Sequence, residues 1–302
     1  MKPGTSLVAL ALTSLLLAAP GAAQARSGPE LVLRLDDIGG SHAINMAMKE
    51  VADRGIPFST SVLFVGPWYQ EAVEILKQHP NVSVGVHLAL NSEWKDYRWG
   101  PVLGQTAVPS LVDSVGYFRH SVEEFLGSKY DLGEVERELE AQVQRALRSG
   151  LKIDYVDFHM GTAASTPQLR AVVERIAKRH DLGISYYFGE DSNELWGTPV
   201  AQKMQRLQEI MKDLKPDQTN LLVFHVMERT PASDALIDMN APSQNIASGG
   251  DGVSRHRHAE LEALLSPQFA AMVKDGGVHL VTYRELIAEK GLASMHAPSA
   301  QQ

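Results

Sequence analysis

The first regular pattern along the chain is Leu31-Val32-Leu33-Arg34-Leu35, an apolar run that reads as a strand and leads into Asp36-Asp37 and Gly39-Gly40. Ser41 then caps a helix whose apolar positions Ile44, Met48 and Val51 keep a helical period, and Gly55 ends it. Residues 61–65 predict a second strand, 71–78 a second helix, and 82–86 a third strand that ends in His87. The stretch 91–126, with Gly and Pro scattered through it, reads mostly as loop. A charged amphipathic helix over 132–147 closes at Gly150, and 153–158 is a strand ending in His159. Pro167, favourable at a first helical position, opens a helix to Arg179. The rest reads as a strand over 184–188, a helix over 200–214, a strand over 221–224 ending in His225, and a helix over 260–273. A last strand over 278–281 precedes a short helix over 284–290.

Strands and helices thus alternate about seven times. The strands are short, β-branched and apolar on both faces, as buried parallel strands are, and this alternation predicts a parallel sheet covered by helices. Two closures fit, an open doubly wound sheet and a barrel. Asp36-Asp37-Ile38-Gly39-Gly40 lacks the spacing of the Gly-rich phosphate loops, which removes the usual reason to choose a nucleotide-binding open sheet. With no internal repeat and no low-complexity linker, residues 26–302 read as one domain.

Composition narrows the function. The 302 residues are 44% hydrophobic and 21% charged, an ordinary globular balance. There is no Cys, so disulfides and thiolate chemistry are excluded and any metal must sit on His, Asp or Glu. The net charge of -8 argues against nucleic acid as a partner. At the N-terminus, Lys2, an apolar run over 7–19 and Ala23-Gln24-Ala25 stand in the order of a secretory signal peptide, residues 1–25. The run is too short to span a bilayer comfortably, which disfavours a retained anchor helix. The expectation is an exported chain, periplasmic or secreted, with no membrane span once the signal is removed.

The candidate chemistry sits at strand ends: Asp36-Asp37, His87, Asp157-x-His159 and His225. In parallel α/β folds these ends lie on one face, so residues distant in sequence can converge there. One Asp and two His make an N2O set suited to Zn2+, Fe2+, Mn2+ or Co2+, and a second Asp beside it can take a proton from water. Singly, each has a plainer reading: Asp-Asp as a helix cap, a strand-end His as a hydrogen-bonded structural group. Their joint placement on one rim favours the functional one.

Leu33-Arg34-Leu35-Asp36-Asp37-Ile38-Gly39, Gly85-Val86-His87-Leu88-Ala89-Leu90 and Asp157-Phe158-His159 resemble the three metal-site motifs of the YdjC-type carbohydrate deacetylases, the ChbG/HpnK group that includes chitooligosaccharide deacetylases. Val223-Phe224-His225, the Arg257-x-x-Glu260-Leu261 stretch and Tyr283-Arg284-Glu285-Leu286 extend the resemblance over nearly the whole chain. It implies a distorted (β/α) barrel of about seven parallel strands, a divalent cation (Mg2+ or Zn2+, with Co2+ and Mn2+ as further candidates), and hydrolytic removal of an acetyl group from an N-acetylated sugar. Carried over by position, Asp37, His87 and His159 are the metal ligands, Asp36 the general base and His225 the general acid. Arg257 is expected to orient Asp36. Two departures stand out: a single His follows Asp157, and Ile38 precedes Gly39 where the family usually has Phe.

Trp68-Tyr69 and Trp94, Tyr97 and Trp99 follow strands two and three, so Trp68, Trp94 and Trp99 are candidate platforms for sugar rings, with loop filling as the alternative. Lys203, Arg206 and Lys212 read as a solvated helix face, and Arg255-His256-Arg257-His258 as a charged helix start. Competing functions are a metal hydrolase of another amide or ester, and a catalytically silent sugar-binding protein. Retention of Asp36 argues against the latter, since binding alone needs no base. The partner expected is a small saccharide, and a homodimer is left open.

Overall fold

The structure, a computed structural model, describes Met1 and residues 28–298; the expected signal segment, residues 2–25 of it, lies outside the described residues. In chain order the elements are β1 (Glu30–Ile38), α1 (His42–Asp53), β2 (Ser59–Val62), α2 (Tyr69–Gln78), β3 (Ser83–Leu88), α3 (Val122–Leu126), α4 (Leu132–Arg148), β4 (Ile153–Phe158) and α5 (Pro167–Arg179). There follow β5 (Gly183–Ile184), β6 (Asp191–Glu194), α6 (Lys203–Lys212), β7 (Thr219–Phe224), α7 (Pro231–Asp234), α8 (Val253–Leu264), α9 (Pro267–Asp275), β8 (His279–Val281) and α10 (Tyr283–Lys290). Seven strands pair in parallel in the order β5-β4-β3-β2-β1-β7-β6, and β8 pairs, also parallel, with the first residues of β1. The sheet curls into a half-barrel with helices around it, the distorted α/β barrel expected. Among the described residues no helix is long and apolar enough to cross a membrane.

Side-chain alternation along β1 sorts the interior. Leu31, Leu33 and Leu35 enter the main core under the helices, with α1 supplying Ile44, Met48 and Val51. Val32 faces the hollow of the half-barrel and joins Tyr155, Leu221, Val223, Val281 and Tyr283 in a second buried cluster. Arg34 and Asp36 continue Val32's face toward the C-terminal ends of the strands. The hollow is therefore plugged with apolar groups at one end and polar at the other.

Gly85 shows how tight the plug is. It pairs in register with Tyr155, and a Cβ added there would lie 2.5 Å from that ring. Gly85→Ala should lower stability by about 1–3 kcal/mol, read from the urea midpoint at unchanged slope.

Two expectations needed revision, and one strand was not expected. The strand over 184–188 is only Gly183–Ile184, because Glu190 accepts hydrogen bonds from the backbone of Tyr186 and Phe188 and turns the chain; Tyr186 sits at φ +70. β6 had no apolar signal, since its residues Asp191 to Glu194 are all polar and none is buried. The helix over 260–273 is two helices, α8 and α9, broken where Ser266 caps and Pro267 opens the second; the proline ring cannot continue the first. The segment 91–126 is mostly loop, but packed: α4 buries Glu138 and Gln142 on its apolar stripe, and these bind the backbone of Val102, Leu103 and Ala89.

Candidate active site

Successive residues of a strand point to opposite faces, so Asp36 and Asp37 should not share a cavity. They do, because the chain leaves the extended region at Asp37, with φ +71, and the β1–β2 register slips between Asp36 and Ile38. Asp is among the few residues that tolerate this conformation. β3 and β4, paired so that His87 lies opposite Asp157, deliver both of those side chains to the same hollow, and His159 follows two residues after Asp157 on that face. Left-handed Met160 (φ 52) and Gly161 (φ 71) then turn the chain away.

Asp37, His87 and His159 are all buried, and one ligand atom from each lies within 4.8 Å of the others. His87 Nε2 is 3.3 Å and His159 Nδ1 3.2 Å from Asp37 Oδ1, yet that oxygen accepts no hydrogen bond. Behind each of the three stands an oppositely charged partner, with no aligned hydrogen bond between His87 and Asp157. Arg257 Nη1 donates to Asp37 Oδ2 at 2.7 Å, His159 Nε2 lies 2.8 Å from Glu93, and His87 Nδ1 lies 3.0 Å from Asp157. Carboxylates behind ligating imidazoles fix the ring and its tautomer in metal sites. An orphaned carboxylate oxygen facing two ring nitrogens, with Asp37 and His159 anchored from behind and His87 backed by Asp157, fits a divalent cation.

The electrostatics make the same demand. Burial opposes charge on His87, but Asp36, Asp157 and Asp37 outweigh it and raise the ring to about 9. Glu93 and Asp37 overcome burial at His159 and raise it to about 10. Asp37 also resists burial: Arg257 and the two imidazoles hold it well below the usual carboxylate range. Buried carboxylates outnumber the guanidiniums here, so without a cation the two imidazoles take up protons to supply the missing positive charge.

Asp36, with an oxygen within 4.8 Å of a His87 nitrogen, stands beside this triad. Arg34, two residues earlier on the same face, donates to both its oxygens at 2.9 and 2.8 Å and lies 3.0 Å from Asp157. The expected role of Arg257 toward Asp36 therefore belongs to Arg34, while Arg257 holds Asp37. His225 follows β7, half-buried, with its ring 5.3 Å from that of Trp196. Burial, aided by Arg257, pushes His225 down to about 4 against the pull of Asp37 and Asp36, so its ring is neutral at rest. All these residues except Asp157 line one cavity of about 350 Å3, at the small end of ligand pockets, whose wall also carries Met160, Tyr186, Glu194 and Asp238.

The aromatic platforms fare differently. Trp94 and Trp99, 1% and 3% exposed, are core. Trp99 packs its ring 5.7 Å from His159, and Trp94 lies 5.7 Å from the Arg257 guanidinium, so both buttress the site from behind. Trp68 is 39% exposed, outside the cavity wall, with its indole donating to the Tyr97 hydroxyl at 2.6 Å. Of the four tryptophans it is Trp196 that lines the cavity, with the rings of Phe158 and Tyr186. Lys203 is no solvated residue but 1% exposed, and His256 and Arg257 are buried too, since α8 packs against β7 and α6.

A profile of the YdjC-like protein family matches residues 30–275. The chain belongs to this family. A carbohydrate deacetylase of Enterococcus faecalis (strain ATCC 700802 / V583) is 26% identical over 276 residues, covering 86% of this chain and 99% of that protein. One from Geobacillus stearothermophilus is 28% identical over 262 residues, covering 84% and 96%. Among solved structures, a candidate cellobiose-phosphate cleavage protein from Enterococcus faecalis V583 superposes with a TM-score of 0.66 at 23% identity, over 86% of this chain and 99% of that one. That likeness is one of fold.

Proposed function

We propose that the chain is a metal-dependent carbohydrate deacetylase that hydrolyses the acetamide of an N-acetylated saccharide. The observation that carries this reading is the convergence of Asp37, His87 and His159 around one orphaned oxygen, with Asp36 at its side and a small cavity in front. The family's carbohydrate deacetylases support the substrate class.

Asp37, His87 and His159 would hold the cation, which when bound supplies Lewis acidity toward water and the amide carbonyl. Asp36, aligned by Arg34, accepts the proton of the attacking water. The leaving nitrogen must be protonated, because an amide anion is a poor leaving group, and His225 on the cavity wall is the group assigned to deliver that proton. Since its ring is neutral at rest, the proton it delivers is the one Asp36 has taken from water, passed on before the C–N bond breaks. Trp68 and Tyr97 offer an outer contact for a further sugar ring. Residues 1–25 belong to the same reading as an export signal, checked by the N-terminal sequence of the mature protein.

Acetate release from N-acetylglucosamine oligomers with added Zn2+, Mg2+ or Co2+ tests the activity. Hydrolysis should appear with metal and vanish with chelator. Saccharide binding without acetate release under every metal would overturn the reading.

A further inference from the structure

A buried ion pair outside the metal cluster has no place in the chemistry above. Lys203, at the start of α6, and Glu260, on α8, have side chains 1% and 0% exposed, and Lys203 Nζ lies 2.7 Å from Glu260 Oε1. Each also makes a hydrogen bond to backbone. Lys203 Nζ donates to the carbonyl of Leu195 at 2.9 Å, immediately before Trp196. Glu260 Oε2 accepts from the backbone N–H of His225 at 2.7 Å. β6 and β7 are neighbours paired up to Glu194 and Val223, so Leu195-Trp196 and Phe224-His225 leave the sheet side by side. There the N–H of His225 goes to a carboxylate.

The two residues so held form one side of the cavity. Trp196 and His225 both line it, with rings 5.3 Å apart, and the Arg257 guanidinium lies 5.1 Å from the Trp196 ring centroid. Stability alone does not demand a buried ion pair, because apolar residues of similar volume commonly replace one without loss. What apolar side chains cannot do is grip a carbonyl on one strand end and an N–H on the next while joined to each other.

We propose that Lys203 and Glu260 are positioning residues, a strut that sets Trp196 and His225 relative to each other and to the metal cluster. The metal ligands are braced separately, by Glu93, Asp157 and Arg257. The kinetic part of this claim rests on the deacetylase reading; the geometric part does not.

The test compares Lys203→Met, Glu260→Ala, Glu260→Gln and the double variant Lys203→Met/Glu260→Gln, which leaves no lone buried charge if a single variant fails to fold. Metal content should match wild type in all. Glu260→Ala should lower kcat by about 10²-fold. Glu260→Gln, which keeps an acceptor for the His225 N–H, should recover part of that loss. Lys203→Met, which frees the Leu195 carbonyl, should raise KM for an N-acetylglucosamine oligomer. The NMR resonances of the His225 ring and the Trp196 indole should move in the double variant. A folded double variant with wild-type resonances, kcat and KM would show the pair to be merely structural and overturn the proposal. Should the wild-type chain release no acetate, the deacetylase reading fails while the resonances still decide on the strut.

Discussion

His159→Ala should lose both bound divalent metal and acetate release, with activity down on the order of 10³-fold or more. The variant removes one of three ligand atoms that meet at Asp37 Oδ1, and it leaves Glu93 buried without the imidazole 2.8 Å away. Glu93→Gln is the informative partner: it keeps the ligand and weakens only its support, so about a 10–100-fold loss is expected. The pH dependence gives an independent readout. In the metal-free protein His87 and His159 are raised to about 9 and about 10, above the ordinary value of 6.5, so near neutral pH both rings carry protons that a cation must displace. Metal affinity should therefore weaken as pH falls below these values, with close to two protons released per cation, measured by calorimetry in buffers of different ionisation enthalpy. His87→Ala should leave one such proton. The sign reverses for the stability of the metal-free chain. Charged rings among carboxylates stabilise fully below about pH 6.5, and that contribution is lost as pH rises through 9 to 10. Wild type with full metal and no proton release, or a His159→Ala variant with normal activity, would refute the ligand assignment.

The strand-end residues were legible because their signal is positional. A carboxylate or imidazole ending an apolar strand needs only the strand to be recognised, and Asp36, Asp37, His87, His159 and His225 all proved to line one cavity. What escaped reading depends on contacts that close in three dimensions. Glu93 lies in a loop without periodicity, Glu260 is legible only as part of the Arg257-x-x-Glu260-Leu261 resemblance, and Lys203 reads as an ordinary solvated charge until α6 and α8 are docked against each other. Trp94 and Trp99 could not be told from Trp196, since all three sit in loops after strands; only burial separates them. That Arg257 holds Asp37 and not Asp36 goes with the left-handed turn at Asp37, which no pattern of apolar residues announces. Arg34 itself was detectable: a guanidinium inside Leu-Val-Leu-Arg-Leu is costly to bury unless carboxylates receive it, and Asp36 two residues on shares its face.

That cost makes Arg34→Met the second large effect. Arg34 donates to Asp36 through two nitrogens, lies 3.0 Å from Asp157, and donates to Ser185 and Tyr186. Methionine fills much of the space and restores none of the charge, so two buried carboxylates lose their shared cation. The expected destabilisation is about 3–5 kcal/mol, read from urea unfolding at pH 7. Asp157 shows the linkage sign. Despite burial, Arg34 and His87 hold its carboxyl far below the usual range, so its contribution to stability is present above about pH 4 and is lost as pH falls further. In Arg34→Met that contribution is gone at neutral pH already, so the gap to wild type should narrow on acidification. Adding Asp157→Asn removes one of the stranded charges and should recover a large part of the stability. It should not recover activity, because Asp36 still lacks the fork that aligns it, and a misplaced base costs about 10²-fold. Recovery of both together would mean that Arg34 serves only the fold and that Asp36 needs no alignment; recovery of stability alone separates the scaffold from the base it holds.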